Sequence, residues 1–198
     1  SDVCSSDLST TDAAATASNT DEVRITDAAA LTLGKTASTA SARPGDVISY
    51  TLSGKNAGGS PATGTTVTID GGTASRVIIR DAIPANTQLA ETVTSNGPQV
   101  LYHLSTDIDI HRYSTVAPSN LAEVDAIAFA LPVVNPFFTI NQGYTGAFKV
   151  RVNPTASGDI TNREMIGLPS GAYSASTQWA RAFIPEGPAI RAGSVSVS

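Results

Sequence analysis

No internal disulfide is open to this chain, because its 198 residues include a single cysteine, Cys4. Lysine is also scarce: three of the twelve basic residues, set against seventeen acidic ones, for a formal net charge of −5. Without a basic cluster there is no electrostatic footprint for nucleic acid, which is not expected as a partner, and binding to anionic lipid is disfavoured for the same reason. No apolar run approaches the roughly 20 residues that span a bilayer, so no membrane insertion is expected. Neither an initiator methionine nor a signal peptide is present, which reads as a mature form or a fragment. Phosphate loops, CxxC and HExxH are missing, and no G-x-S-x-G elbow precedes a helix. The expectation is therefore a non-enzymatic protein with no cofactor and no resident metal. Aromatic residues make up only 6%, and Tyr102, Tyr144, Tyr173 and Trp179 read as packing residues before they read as a sugar platform.

What is present is Ser, Thr and Ala, punctuated by 16 glycines and 11 prolines, the composition of a turn-rich β protein. From residue 29 short segments alternate with a period of two. "DVISYTLSGKN" turns Ile48, Tyr50 and Leu52 inward, and "ASRVIIRDAIP" puts Val77, Ile79 and Asp81 in one register. "VLYHLSTDIDIHRY" reads as one strand with Tyr102, Leu104, Ile108 and Ile110 inward. "VDAIAFALPVV" reads as a strand covered on both sides. "GAFKVRVNP" turns Phe148, Val150 and Val152 inward, "GDITNREMIG" aligns Ile160, Asn162, Glu164 and Ile166, and "YSASTQWARAFIP" aligns Tyr173, Trp179 and Phe183. No sustained 3.6-residue period occurs; "SNLAEVDAI" supplies at most a helical turn or two. The fold predicted is all-β, an immunoglobulin-like antiparallel β-sandwich of about eight to ten strands with an extended N-terminal tail. The division predicted is a tail over 1–28 and one sandwich over 29–198 with additional C-terminal strands.

The tail is polar and poor in large side chains. Its first octet, "SDVCSSDL", resembles the translation of a common sequencing adapter, which removes Cys4 from any redox or nucleophile argument.

Four motifs occur in order: "LGKTAS", "RPGDVISYTLSGKNAGG", "VIIRDAIPANTQL" and "GDITNREMI". Over about residues 30 to 168 they resemble domain of unknown function eleven, an immunoglobulin-like surface repeat of bacteria and archaea. The region between "NGPQVLYH" and "FFTINQGY" is longer than that family's usual run. The resemblance implies a fold and an extracellular place in a prokaryote, and no substrate.

Two constellations carry candidate chemistry. Lys35, Asp81 and Asn162 each share the parity of apolar neighbours, and a lysine that faces a core is costly unless paired or neutral. Surface immunoglobulin-like modules solve this with an intramolecular isopeptide bond between a first-strand Lys and a late-strand Asn, with a buried carboxyl to shuttle protons. The alternative is a Lys35–Asp81 ion pair at the sheet edge, with Asn162 bonding a turn. The second constellation, His103, Asp107, Asp109 and His111, falls on one face of the expected strand and offers respectable ligands for a divalent metal. A flat strand face does not converge its side chains, however, and a solvated polar face is the simpler reading.

The expected function is that of an extracellular structural protein, a subunit of a self-assembling filament or surface layer. Its partner would be itself, head to tail, with a terminal strand of one copy completing the sheet of the next. The alternatives are a single repeat of a larger surface adhesin or stalk, and a metal-dependent carbohydrate-binding module.

Overall fold

The structure, a computed structural model, describes residues 31–57, 59, 61–95, 97–131, 137–138, 143–167, 170–175 and 180–184. The tail, the octet, Trp179 and the last fourteen residues lie outside them. In chain order the strands are β1 (Leu31–Ala37), β2 (Val47–Asn56), β3 (Ala62–Thr63), β4 (Thr65–Ile69), β5 (Gly72–Arg76), β6 (Ile78–Ala82), β7 (Thr87–Leu89) and β8 (Gln99–Leu104). They continue with β9 (Arg112–Tyr113), β10 (Val124–Ala130), β11 (Phe137–Phe138), β12 (Gly143–Val152), β13 (Gly158–Asn162), β14 (Glu164–Gly167), β15 (Tyr173–Ala175) and β16 (Ala180–Ile184). The fold is an immunoglobulin-like β-sandwich, and its pairings are antiparallel except for two residues of β9 against β4. Strands outnumber the expected eight to ten because several are two- or three-residue pieces that alternation cannot separate from turns.

One sheet has the order β1-β2-β12-β7 and the other β15-β14-β6-β10-β8. Between them lies the main core, in which Ile48, Tyr50 and Leu52 of β2 and Phe148 and Val150 of β12 meet Ile79 of β6 and Ile127 and Phe129 of β10. The period-two reading of β2 and β12 therefore holds. A second small core packs Val67 and Tyr113, from the β5-β4-β9 sheet, against Ile78, Leu101, Ala128 and Ala130. The second large sheet is thus covered on both faces, which is why every residue of β10 except Asp125 is buried. The β4–β5 hairpin turns through Asp70 and Gly71, both at positive φ. That is the two-residue geometry whose twist matches the flanking strands.

Three sequence expectations are corrected. The strand through "VLYHLSTDIDIHRY" stops at Leu104; Ile108, expected inward, is 98% exposed, and Ile110 is exposed as well. His103, expected on the wet face, is buried. The segment "GDITNREMIG" is two strands, β13 pairing with β16 and β14 pairing with β6, broken at the exposed Arg163. The helical turn is present as a single 3₁₀ turn, Leu121–Glu123, capped by Asn120, whose side chain accepts from the Ala122 amide.

Candidate crosslink centre

The first strand, a central strand of the opposite sheet and the end of β13 each deliver one polar side chain to the same dry point. Lys35 sits on edge strand β1, opposite Leu52 of β2. Its Nζ forms an ion pair with Asp81 Oδ2, and both side chains are 0% exposed. Asp81 lies on β6 between Ile127 of β10 and Glu164 of β14. Asn162, also buried, ends β13, and its carboxamide acts on Asp81 as a hydrogen-bond donor that favours the ionised carboxylate. Its Nδ2 nonetheless has no acceptor of full hydrogen-bond geometry among the described residues. The structure thus brings together all three residues singled out in the sequence. The Lys35–Asp81 ion pair of the alternative reading is present as well, reached from edge strand β1, and it is fully buried.

Aromatic rings wall the site. Lys35 Nζ lies 4.8 Å from the centroid of Tyr50 and 5.1 Å from that of Phe148. These two rings pack at 5.3 Å on one another. Burial depresses the Lys35 pKa, overcoming the opposing pull of Asp81 and Glu164. Burial likewise raises that of Asp81, against Lys35, Asn162 and Arg80. Desolvation therefore outweighs pairing on both partners, which moves the pair toward neutral amine and neutral acid. A neutral amine is a nucleophile and a neutral acid is a proton donor; an amide lies beside them. The chemistry available is acyl transfer within the chain.

Glu164 is the buried neighbour of the centre that sequence reasoning passed over. It is fully buried and pairs in register with Asp81. Its parity with Asn162 was legible, but Glu was not read as a member of the centre. The Tyr50 and Phe148 wall was readable only as core.

Tyr50 makes a separate prediction. Burial, reinforced by Asp81, pushes its phenol up to about 12 from the ordinary 10. A phenol that keeps its proton longer when folded gives stability that is whole below pH 10 and is lost as the pH rises toward 12. Tyr50→Phe should flatten that alkaline loss, worth about 1 kcal/mol by pH 11 in urea titrations. Because the Tyr50 hydroxyl has no partner among the described residues, the variant should lose nothing at neutral pH. An undiminished alkaline slope would place the titration elsewhere.

The four residues of the second constellation do not share a face. His103 Nδ1 lies 2.5 Å from Asp125 Oδ1 and its Nε2 3.1 Å from the Asp109 carbonyl oxygen. His111 stacks on Tyr173 and its Nε2 meets the Gly171 carbonyl oxygen. Asp107 pairs with Arg112. Each is committed to pinning the 105–111 loop, and no cluster of three or more His, Cys, Asp or Glu suited to a metal occurs among the described residues. Tyr102 and Tyr173 behave as packing: the Tyr102 hydroxyl bonds the Val93 backbone, and Tyr113 and Tyr173 hydroxyls meet at 2.6 Å; the Tyr144 side chain and Trp179 lie outside what is described.

The sequence matches the family described as Domain of unknown function (DUF7925) over residues 32–165. No curated protein matches it. Among solved structures it is similar to a type I cohesin–dockerin complex from Clostridium thermocellum, at 12% identity over 78% of this chain and 99% of that one, with a TM-score of 0.41. It is also similar to domains D2 and D3 of the major pilin SpaD from Corynebacterium diphtheriae, at 13% identity over 76% and 51%, TM-score 0.42. The C-terminal domain of the Streptococcus agalactiae AgI/II polypeptide BspA is similar at 14% identity over 78% and 51%, TM-score 0.44.

Proposed function

We propose that this chain, which belongs to the family Domain of unknown function (DUF7925), is a non-enzymatic structural module of an extracellular filament or surface layer, locked internally by a Lys35–Asn162 isopeptide bond. The observation that carries the reading is the fully buried Lys35–Asp81 pair with Asn162 beside it. A buried pair whose desolvation exceeds its attraction is a poor stabiliser. Such a pair makes sense when the amine attacks a neighbouring amide and the acid moves the proton.

In the reaction, neutral Lys35 Nζ attacks Asn162 Cγ while Asp81 gives a proton to the amide. The Nζ–Cγ bond forms, the Cγ–Nδ2 bond breaks, and Nδ2 leaves as ammonia. Asp81 regains the proton shed by Nζ, so no oxidant, metal or second substrate is needed. The Nδ2, which has no acceptor of full hydrogen-bond geometry among the described residues, is the atom that departs. The test is the intact mass of the purified chain: it should fall short of the sequence mass by one ammonia, and an unaltered mass sinks the crosslink.

Assembly by strand complementation between copies is supported by one edge. Strand β12 pairs with β2 along Gly143–Arg151, and on its other side the pairing among the described residues is with β7 at Val150–Val152. The run before Lys149 presents ladder groups to which an extended segment can add. The resemblance of the "LGKTAS" to "GDITNREMI" series to a prokaryotic surface repeat supports the extracellular placement. Deleting residues 1–28 should convert polymers, seen by electron microscopy and sedimentation, to monomers. Polymers that survive the deletion exclude the N-terminal tail as donor; monomers before deletion favour a single repeat of a larger adhesin or stalk.

A further inference from the structure

Strand β7 leaves the β12 ladder early. Its last rung among the described residues is the Ala90 amide, which donates to the Lys149 carbonyl oxygen. The same side of β12 continues past that rung. Ser49, opposite Lys149 in register, turns its carbonyl toward Ser38 on the β1 side. Lys149 therefore turns its own backbone groups away from β2, and the period of two repeats that direction at Ala147 and Thr145. Among the described residues nothing pairs with those two rungs. The chain after Ala90 is instead drawn to the other sheet, where the Tyr102 hydroxyl holds the backbone of Val93. Between the two lies a slot, two adjoining depressions of about 240 and 270 Å³ that share Thr94 and Ala147. Its banks are small side chains, Thr92 and Thr94 on one and Thr145 and Ala147 on the other. The Ser95 hydroxyl, which lines it too, is buried with no partner among the described residues. The charges at the slot, Lys149 and Glu91, cancel in an ion pair.

We propose, building on strand exchange between copies, that the slot takes an extended run of Ala, Ser and Thr from a second copy of this chain, Ala13–Ser18 ("AAATAS"). The open rungs continue a ladder already begun, which fixes the occupant as an extended backbone. A slot of this volume between threonine banks holds several small side chains and not the same number of large ones. Its charges already cancel, so a neutral run suits it better than one that buries an unpaired ion. Ala13–Ser18 is the longest stretch of Ala, Ser and Thr outside the described residues, and it carries no charge, Gly or Pro. The neighbouring "EVRIT" brings Glu, Arg, Val and Ile, and the C-terminal "SVSVS" stacks two valines on one face. Ser95 gains from the donor the partner it lacks.

The receptor for the test is the full chain carrying Ala14→Leu and Ala15→Leu, which blocks both faces of its own run; the probe is a peptide of residues 9–20. In the ¹⁵N-labelled receptor the Thr145 and Ala147 amides should shift on titration and exchange with solvent about tenfold more slowly or better. The peptide with the same two leucines should move neither. Ala147→Pro, which removes an amide pointing away from β2, should weaken the peptide about tenfold. Ser95→Ala should weaken it several-fold and leaves the ladder whole, so it decides the matter if the proline variant does not fold. Shifts confined to another edge, equal binding of the leucine peptide, or no binding overturn the proposal. A monomeric parent with both amides already protected overturns it too, because its own tail then fills the slot. The assembly reading is separable. Polymers that dissolve on deleting residues 1–28 while the peptide leaves the slot unmoved keep strand exchange and sink this site. Peptide bound in the slot, with a monomeric parent whose two amides are free, keeps the site and sinks the filament.

Discussion

Asn162→Ala and Asp81→Asn should each restore the full sequence mass and lower the melting temperature by about 10–20 °C. A covalent tie between residues 35 and 162 closes a loop of about 130 residues, and removing that constraint returns about 5 kcal/mol of conformational freedom to the unfolded chain. For a protein of this size each kcal/mol moves the midpoint by about 2–4 °C. Contact loss is a minor part of the effect. The Asn162 Nδ2 has no full acceptor among the described residues, and Asp81→Asn keeps its volume while deleting the proton shuttle. Lys35→Ala should fall further still, because it also empties the space that the lysine side chain fills beside the Tyr50 and Phe148 rings. Calorimetry beside intact mass checks the series. A variant that loses the bond yet melts within about 3 °C of the parent would mean that the tie spans a region already ordered in the unfolded ensemble.

Parity carried the centre. Lys35, Asp81 and Asn162 were legible because each is a polar residue on the apolar side of a strand, and strand geometry allows no other destination for that side chain. Alternation also placed Ile48, Tyr50 and Leu52, all buried. It failed where sheet coverage or strand length changed. On β6 both Ile79 and Arg80 are buried, because the second sheet is covered on both faces, so parity there no longer distinguishes in from out. At "HLSTDIDIH" the alternation continues through a loop that is not extended, and His103 is buried with Leu101 and Tyr102 on a strand covered on both faces, its Nδ1 meeting Asp125, a residue 22 positions away that no local pattern announces. Glu164 was missed for a different reason: its meaning comes from the cross-strand register with Asp81, and register is set by tertiary pairing.

Gly146 makes the same point from the opposite direction, and substituting it should be a costly change in the sandwich core outside the crosslink centre. A Cβ at this position would lie 2.8–2.9 Å from three ring atoms of Phe129, a buried ring on the facing sheet. The glycine serves as the flat seat for that ring, and the two sheets are as close as the seat allows. Gly146→Ala should cost about 1–3 kcal/mol by overpacking, and Phe129→Leu a similar amount by the gap it leaves. The double variant should cost less than the sum by at least about 1 kcal/mol, since the alanine methyl occupies part of the space the smaller side chain vacates. Urea titrations of the four proteins give this coupling directly, and strict additivity would show that ring and seat do not touch. The pair also sets the chemistry. Phe148, two residues from Gly146, walls Lys35, and Ile79, which pairs with Phe129, lies two residues from Asp81. Pushing the sheets apart at Gly146 therefore separates Lys35 on one sheet from Asp81 on the other. Gly146→Ala should slow bond formation on refolding even at pH values where the proton balance of the centre is correct.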